Sequence, residues 1–171
     1  EFFDFRFREL CKKSGITLGG FCRLSLDRMN GGKYKPETND AQFFIEVKPV
    51  DHNDFILNTK GLEVDIFTDL KKQKNMLANF KLKNCLLSIM ASIKAQERQL
   101  DDLLISNDTG GILESSSSNL FVVSNGVLYT PGLEEGCLAG TMRMQIINLA
   151  LANGIKVYES SIVPQNLLAA D

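Results

Sequence analysis

The residues best suited to chemistry lie in the second half of the chain. Lys81 and Lys83 stand close together in the segment Phe-Lys-Leu-Lys-Asn at 80–84. The segment 114–121, Glu-Ser-Ser-Ser-Ser-Asn-Leu-Phe, concentrates hydroxyl groups beside a carboxylate. Such a group suits an oxyanion ligand or a hydrogen-bond network around a buried acid. Two lysines at a helix start and a polar bulge at a sheet edge explain the same residues without any ligand, so these segments alone assign no role.

A third candidate is the start of a predicted helix at 141–152. Gly140 precedes it, and a glycine lets the backbone approach a ligand closely. The free N–H groups of a first helical turn favour a phosphate. Many helices begin after a glycine and bind nothing, so this feature is also weak by itself.

Composition excludes several other kinds of site. The single histidine, His52, lies in a polar stretch that is typical of a loop, which makes imidazole-based catalysis unpromising. The four cysteines contain no C-x-x-C pair, so we expect no zinc site and reduced thiols in a cytoplasmic protein. A net charge of -2 gives no reason to expect nucleic acid or an anionic membrane as a partner. No apolar stretch is long enough to span a bilayer.

Apolar periodicity and turn residues predict a mixed α/β chain. We expect a smaller β-rich region over 1–74 and an α/β region with a mixed sheet over 75–171. The Asn125-Gly126 pair predicts a hairpin between two short strands. The other predicted elements are helices at 1–14, 84–99 and from 163, and strands at 21–26, 41–50, 61–68, 103–106 and 155–158.

The three candidate segments stand in the order and spacing of a known family. Lys81 lies three residues before Asn84, the segment 114–121 follows some thirty residues later, and Thr130-Pro131 precedes Leu-Ala-Gly-Thr-Met-Arg at 138–143. This pattern resembles the class IV aminotransferases, the fold-type IV pyridoxal-phosphate enzymes. It is most similar to the short branch that contains D-amino-acid transaminase and 4-amino-4-deoxychorismate lyase.

The resemblance implies a two-domain D-amino-acid-aminotransferase-like α/β fold. The N-terminal part would be α+β, and the C-terminal domain would have a mixed, partly barrel-like sheet. The chain begins without Met and stops where the family continues, so we expect it to be incomplete at both ends. The family also implies a homodimer.

The resemblance assigns roles to single residues. Lys81 would hold pyridoxal 5'-phosphate as a Schiff base and then move the substrate α-proton; Lys83, one residue before Asn84, is the weaker match. Glu114 would pair with the pyridine nitrogen. Arg143 also matches the motif, but for this residue a structural ion pair is favoured over contact with the cofactor. The full set of implied cofactor-binding residues is Lys81, Glu114, Ser116, Ser117, Asn119, Leu138, Gly140, Thr141 and Met142.

The reaction is less defined than the cofactor. A Lys–Asn spacing of three, followed by Cys85, favours the short branch, and the loop from Arg28 lacks the Arg-x-His pair of D-amino-acid transaminase. That loop is closer to the lyases, with Arg28, Lys33 and Tyr34 as candidate substrate-binding residues; a solvated hairpin explains it equally well. The prediction is an aminotransferase acting on amino and keto acids, with the lyase as the alternative. A catalytically inactive binding module is the outside alternative.

Overall fold

The computed structural model describes residues 1–171 except His52, Asn53 and Phe55. The loop predicted around His52 therefore lies outside the described residues. The chain divides into two compact units, Glu1–Thr59 and Lys60–Asp171. Every predicted cofactor-binding residue belongs to the second unit.

The first unit is a helix and a two-stranded antiparallel sheet. It contains α1 (Phe2–Lys13), β1 (Gly20–Arg28) and β2 (Ala41–Pro49). The helix ends where it was predicted to end, since Gly15 has φ of 68° and reverses the backbone. The rings of Phe2 and Phe3 meet Phe43 of β2 edge to face, with centroids 5.8 and 5.2 Å away.

The second unit contains two three-stranded mixed sheets, which confirms the mixed α/β class. One sheet has the order β3-β4-β5, parallel then antiparallel, and the other has the order β6-β7-β8, antiparallel then parallel. The elements are β3 (Val64–Lys72), α2 (Leu86–Glu97), β4 (Asp102–Asn107), β5 (Ile112–Ser115), β6 (Val122–Ser124), β7 (Val127–Thr130), a 3-10 turn (Leu133–Glu135), α3 (Thr141–Ala152), β8 (Val157–Glu159) and α4 (Pro164–Leu168).

The centre of this unit is β4, whose six residues are all buried. Side chains alternate between the two faces of a strand, so β4 contributes to two cores. Leu103 and Ile105 pack with Phe67 and the α2 alanines, Ala91 and Ala95. On the opposite face, Leu104 belongs to a second cluster with Ile112, Val122 and Ile162. Burial on both faces fixes the position of Asp102 at the start of the strand.

The division of the chain differs from the predicted one. It falls after Thr59, whereas the composition change suggested a boundary after Lys74. The reason is β3, which pairs in parallel with β4 and so belongs to the second unit. This pairing joins segments about 38 residues apart, and a parallel partner cannot be recognised from a short local pattern.

Helix α2 forms as predicted but buries an unexpected face. The alanines Ala91 and Ala95 contact the sheet, whereas Leu86, Ile89 and Ile93 are about half exposed or more. Small residues allow the helix backbone to approach the strands closely.

Among the described residues, no helix is long and apolar enough to cross a membrane.

Candidate functional site

Every predicted cofactor-binding residue lines a cavity of about 360 Å³ in the second unit. Its volume is typical of a small-ligand site. It is lined by Asn79, Lys81, Ser88, Glu114, Ser115, Ser116, Ser117, Ser118, Asn119, Leu138, Ala139, Gly140, Thr141 and Met142. Three segments far apart in sequence thus meet around one space. Their individual roles remain predictions.

Glu114 lies at the end of β5 on the wall of this cavity and is 7% exposed. The Lys72 ammonium donates to its Oε1 over 2.7 Å, and the Leu138 backbone N–H donates to its Oε2 over 2.9 Å. Both carboxylate oxygens are thereby held in place. A buried carboxylate needs such partners, because burial without them is costly.

The serine segment is organised by a buried carboxylate that sequence analysis missed. Asp102 is 8% exposed, and its Oδ2 accepts hydrogen bonds from the hydroxyls of Ser115, over 2.6 Å, and Ser117, over 3.2 Å. Its Oδ1 accepts the N–H groups of Leu103 and Ser116, over 2.7 and 3.2 Å. Burial raises the pKa of Asp102, but these donors, the Ser115 hydroxyl first, outweigh it and hold the pKa below its usual 3.8. The segment is therefore a hydrogen-bonded loop.

The first turn of α3 offers free donors to the cavity. Gly140 is the residue before this 12-residue helix, and no side chain of the described residues caps it. A Cβ on Gly140 would lie 3.2 Å from Asn119 Oδ1, so the close approach of the Asn119 amide favours glycine here. The Thr141 and Met142 N–H groups follow directly, at the positive end of the helix dipole. An anion fits this position.

Lys81 lies in an irregular segment between β3 and α2 and is exposed on the cavity wall. Lys83, its rival in the sequence, is not among the residues that line the cavity. The geometry thus favours Lys81 as the amine that meets a ligand bound there.

The residues predicted to bind substrate lie in the first unit. Arg28, at the end of β1, donates from Nη1 to Asn39 Oδ1 over 3.2 Å, and Lys33 and Tyr34 are exposed. The turn between Arg28 and Lys33 depends on glycine, since a Cβ on Gly32 would lie 2.1 Å from the Lys35 carbonyl oxygen. Their role in substrate binding remains a prediction.

Arg143 forms the structural ion pair that the sequence suggested. Its Nη2 lies 2.6 Å from Glu159 Oε2 and also donates to the buried Pro131 carbonyl over 2.6 Å. The residue is buried and does not line the cavity. It fastens the start of α3 to β8 and to the loop after β7.

Three further residues hold the site together and were missed. Lys72 bonds the cavity residue Glu114 across 42 residues, and Asp102 bonds the cavity residues Ser115 and Ser117 across 13 and 15. Asn79 bonds Leu133 and Cys137, in the loop before Leu138, across 54 and 58 residues. A lysine pair or a lone asparagine carries no sequence signal of such distant contacts.

Among the described residues, no group of three or more His, Cys, Asp or Glu side chains could hold a metal ion.

The fold and the cavity define an α/β protein with an amine, a buried carboxylate and a helix N-terminus around one ligand site. A family model described as amino-transferase class IV matches residues 7–171. The chain belongs to the class IV aminotransferase family. The resemblance seen in the sequence is therefore confirmed.

Individual relatives agree with this assignment. The chain is 36% identical over 115 residues to a protein of Methanocaldococcus jannaschii named "Putative branched-chain-amino-acid aminotransferase", covering 67% of this chain and 37% of that one. It is 32% identical over 93 residues to the D-alanine aminotransferase of Bacillus licheniformis, covering 54% and 32%. The crystal structure of a branched-chain aminotransferase from Thermoproteus uzoniensis with norvaline superposes with a TM-score of 0.83 at 28% identity, covering 95% of this chain and 55% of that chain.

These matches set the limits of the assignment. The chain spans about a third of the two curated relatives and about half of the solved structure. Both branched-chain and D-alanine aminotransferases are similar to it, so the relatives do not choose between the branches. Family membership supports pyridoxal phosphate as the cofactor, and the cavity fits it: an amine, a carboxylate for a ring nitrogen and a helix N-terminus for a phosphate line one space.

Proposed function

We propose that this chain carries the cofactor site of a pyridoxal-phosphate-dependent aminotransferase that acts on an amino acid. The observation that supports it most strongly is the meeting of Lys81, Glu114 and the start of α3 around a single cavity. Each of these features alone has an ordinary structural explanation. Together in one space, they match the aldehyde carbon, the ring nitrogen and the phosphate of the cofactor.

Different residues would bind different parts of the cofactor. The Thr141 and Met142 N–H groups would bind the phosphate at the start of α3. Leu138 would pack on the ring face, and its own N–H already holds Glu114 Oε2 over 2.9 Å. Glu114 would accept the ring N–H, with Lys72 holding the other carboxylate oxygen. Asn119, Ser116 and Ser117 would contribute polar groups along the wall.

Lys81 would carry out the proton transfer. Its Nζ would bind the cofactor covalently and, once freed by the substrate, take the substrate α-proton and return it at a different atom. When bound, pyridoxal phosphate supplies an electron-withdrawing ring that stabilises the charge left by the departing proton. The buried Glu114 carboxylate would keep the ring nitrogen protonated for this purpose.

The proposed substrate class follows from the proposed reaction and not from a described substrate pocket. Amino acids and keto acids are proposed as substrates, with Arg28 or Lys33 contacting a substrate carboxylate. The lyase reaction shares the α-proton removal, so Lys81 and Glu114 serve it equally well. We also propose that the protein is a homodimer and cytoplasmic.

A half-reaction tests this function. The protein is loaded with pyridoxal phosphate, the excess is removed, and single amino donors are added while the visible absorbance of the bound cofactor is followed. An aminotransferase loses that absorbance with a donor and regains it with a keto acid, and Lys81→Ala does neither. Release of pyruvate from aminodeoxychorismate without a keto acid would instead identify the lyase. Failure of the wild-type protein to retain any cofactor would contradict both and leave a binding module.

A further inference from the structure

Two irregular segments carry the proposed Schiff-base lysine, Lys81, and the proposed ring contact, Leu138. Residues 73–85, between β3 and α2, contain turns but no helix or strand, and Lys81 lies within them. Residues 131–140, between β7 and α3, contain only one 3-10 turn. Since neither segment is held by a sheet or a long helix, their relative position depends on a few individual contacts.

Asn79 makes most of these contacts. Its side-chain Nδ2 donates to the carbonyl oxygens of Leu133, over 2.8 Å, and Cys137, over 2.7 Å. Its own backbone carbonyl accepts the Ala139 N–H over 3.0 Å. Three hydrogen bonds therefore join a residue two positions before Lys81 to Leu133 and to Cys137 and Ala139, the two neighbours of Leu138.

The chemistry of these contacts requires an amide. An NH₂ group has two protons, and here both point at carbonyl oxygens that accept them. Aspartate has nearly the same shape but no proton to donate, so its oxygens would face two carbonyl oxygens. Serine could satisfy only one of the two carbonyls. Asn79 also lines the cavity itself.

We propose that Asn79 is a positioning residue that sets Lys81 at its reacting distance from a cofactor whose phosphate is bound at the start of α3. This inference rests on the proposed function. The phosphate end of the ligand would be fixed by Thr141 and Met142, and Asn79 fixes the amine relative to the loop that leads to them. Small displacements of reacting groups are costly to rate, so the loss of this link is felt at Lys81.

A double-mutant cycle separates positioning from general stability. The affinity for pyridoxal phosphate is measured by equilibrium dialysis for wild type, Asn79→Ala, Lys81→Ala and the double variant. We expect Asn79→Ala to weaken binding about tenfold, the loss of roughly one hydrogen bond. In the Lys81→Ala background the same change should weaken binding less than about twofold, because there is no amine left to position. An equal loss in both backgrounds would overturn the proposal.

Two matched variants, Asn75→Ala and Asn79→Ser, serve as the control and as an intermediate case. Asn75→Ala is the control, since Asn75 lies in the same segment and, among the described residues, its side chain bonds only the nearby Gln73 and Leu77. Asn79→Ser retains one donor and should fall between wild type and Asn79→Ala, which covers the case in which Asn79→Ala does not fold. Asn79 variants that bind like Asn75→Ala would overturn the positioning role. If the wild type does not bind the cofactor, or Lys81→Ala binds as tightly, the proposed function has failed instead.

Discussion

Asp102 organises the serine loop, and its replacement gives a prediction with two distinct magnitudes. The carboxylate is 8% exposed and accepts four hydrogen bonds, two on each oxygen. The shortest come from the Leu103 N–H, over 2.7 Å, and the Ser115 hydroxyl, over 2.6 Å. Alanine removes every acceptor at once. Asparagine keeps one oxygen and places an NH₂ group where Oδ2 lies.

The two substitutions should differ because asparagine keeps an acceptor oxygen and the Ser117 hydroxyl can change from donor to acceptor. In Asp102→Ala the buried Leu103 N–H and the half-buried Ser115 hydroxyl lose a charged acceptor, at about 1.5–3 kcal/mol each, so we expect a loss of about 3–6 kcal/mol. In Asp102→Asn the amide oxygen can accept the Leu103 N–H, and the Ser117 hydroxyl can rotate to accept from the NH₂ group. Ser115 Oγ already accepts the Ser117 and Ser118 N–H groups, so it loses its bond to residue 102. Neutral bonds then replace charge-assisted ones, and we expect a loss of roughly 1–2 kcal/mol.

Urea unfolding at pH 7 followed by circular dichroism measures both losses. Asp108→Asn, at an exposed turn next along the chain, is the control and should change the free energy of unfolding by less than about 0.5 kcal/mol. Equal losses for Asp102→Ala and Asp102→Asn would refute the argument from hydroxyl rotation. A loss no larger than that of the control would refute the role of Asp102 altogether.

The pH dependence gives an independent check on the same residue. Because the folded pKa of Asp102 lies below its ordinary 3.8, its ionisation stabilises the fold fully above that value. The stabilisation is lost as the pH falls through the lower, folded pKa. The difference in stability between wild type and Asp102→Asn should therefore shrink towards zero in strong acid. A difference that grows as the pH falls would contradict the sign of this shift.

Three further predictions concern other parts of the second unit. Burial raises the pKa of the Cys137 thiol, so a maleimide should label the exposed Cys85 in the native protein but Cys137 only after unfolding, as read by peptide mass. Arg143→Met should lower the free energy of unfolding, measured with denaturant, by about 2–3 kcal/mol because the buried Pro131 carbonyl loses its donor. Glu159→Gln should lower it by less than about 1 kcal/mol because the Glu159 side chain is 48% exposed. Equal losses for the two variants would contradict this. Lys72→Met should weaken pyridoxal phosphate binding measured by dialysis, and Lys72→Arg should retain most of it, since the carboxylate beside it needs a cation.

Elements defined by local patterns were predictable from the sequence. The hairpin between β6 and β7 turns at Asn125 and Gly126, whose φ values are 52° and 73°, the left-handed region that Asn-Gly adopts readily. The helix predicted at 141–152 is α3, with the same bounds. In both cases the deciding interactions lie within a few residues, so the sequence contains the necessary information.

Contacts between distant segments were not predictable in the same way. The motif residues Lys81 and Glu114 could be named from the resemblance, but Lys72 beside Glu114 could not. Lys72 belongs to a basic run that is typical of a solvated surface, and the pairing of β3 with β4 brings it beside Glu114. The burial of α2 through its alanines was missed for a related reason: close packing selects small residues, and hydrophobic periodicity weights large ones.

The central claim is that Lys81 is the amine that binds the cofactor. The protein is mixed with pyridoxal phosphate, reduced with borohydride, digested, and mapped by mass spectrometry, with Lys81→Ala and Lys83→Ala treated identically. We expect a reduced phosphopyridoxyl group on Lys81 in the wild type and in Lys83→Ala, and none at this site in Lys81→Ala. Label on Lys83 with Lys81 untouched, or label spread evenly over exposed lysines in all three proteins, would contradict it.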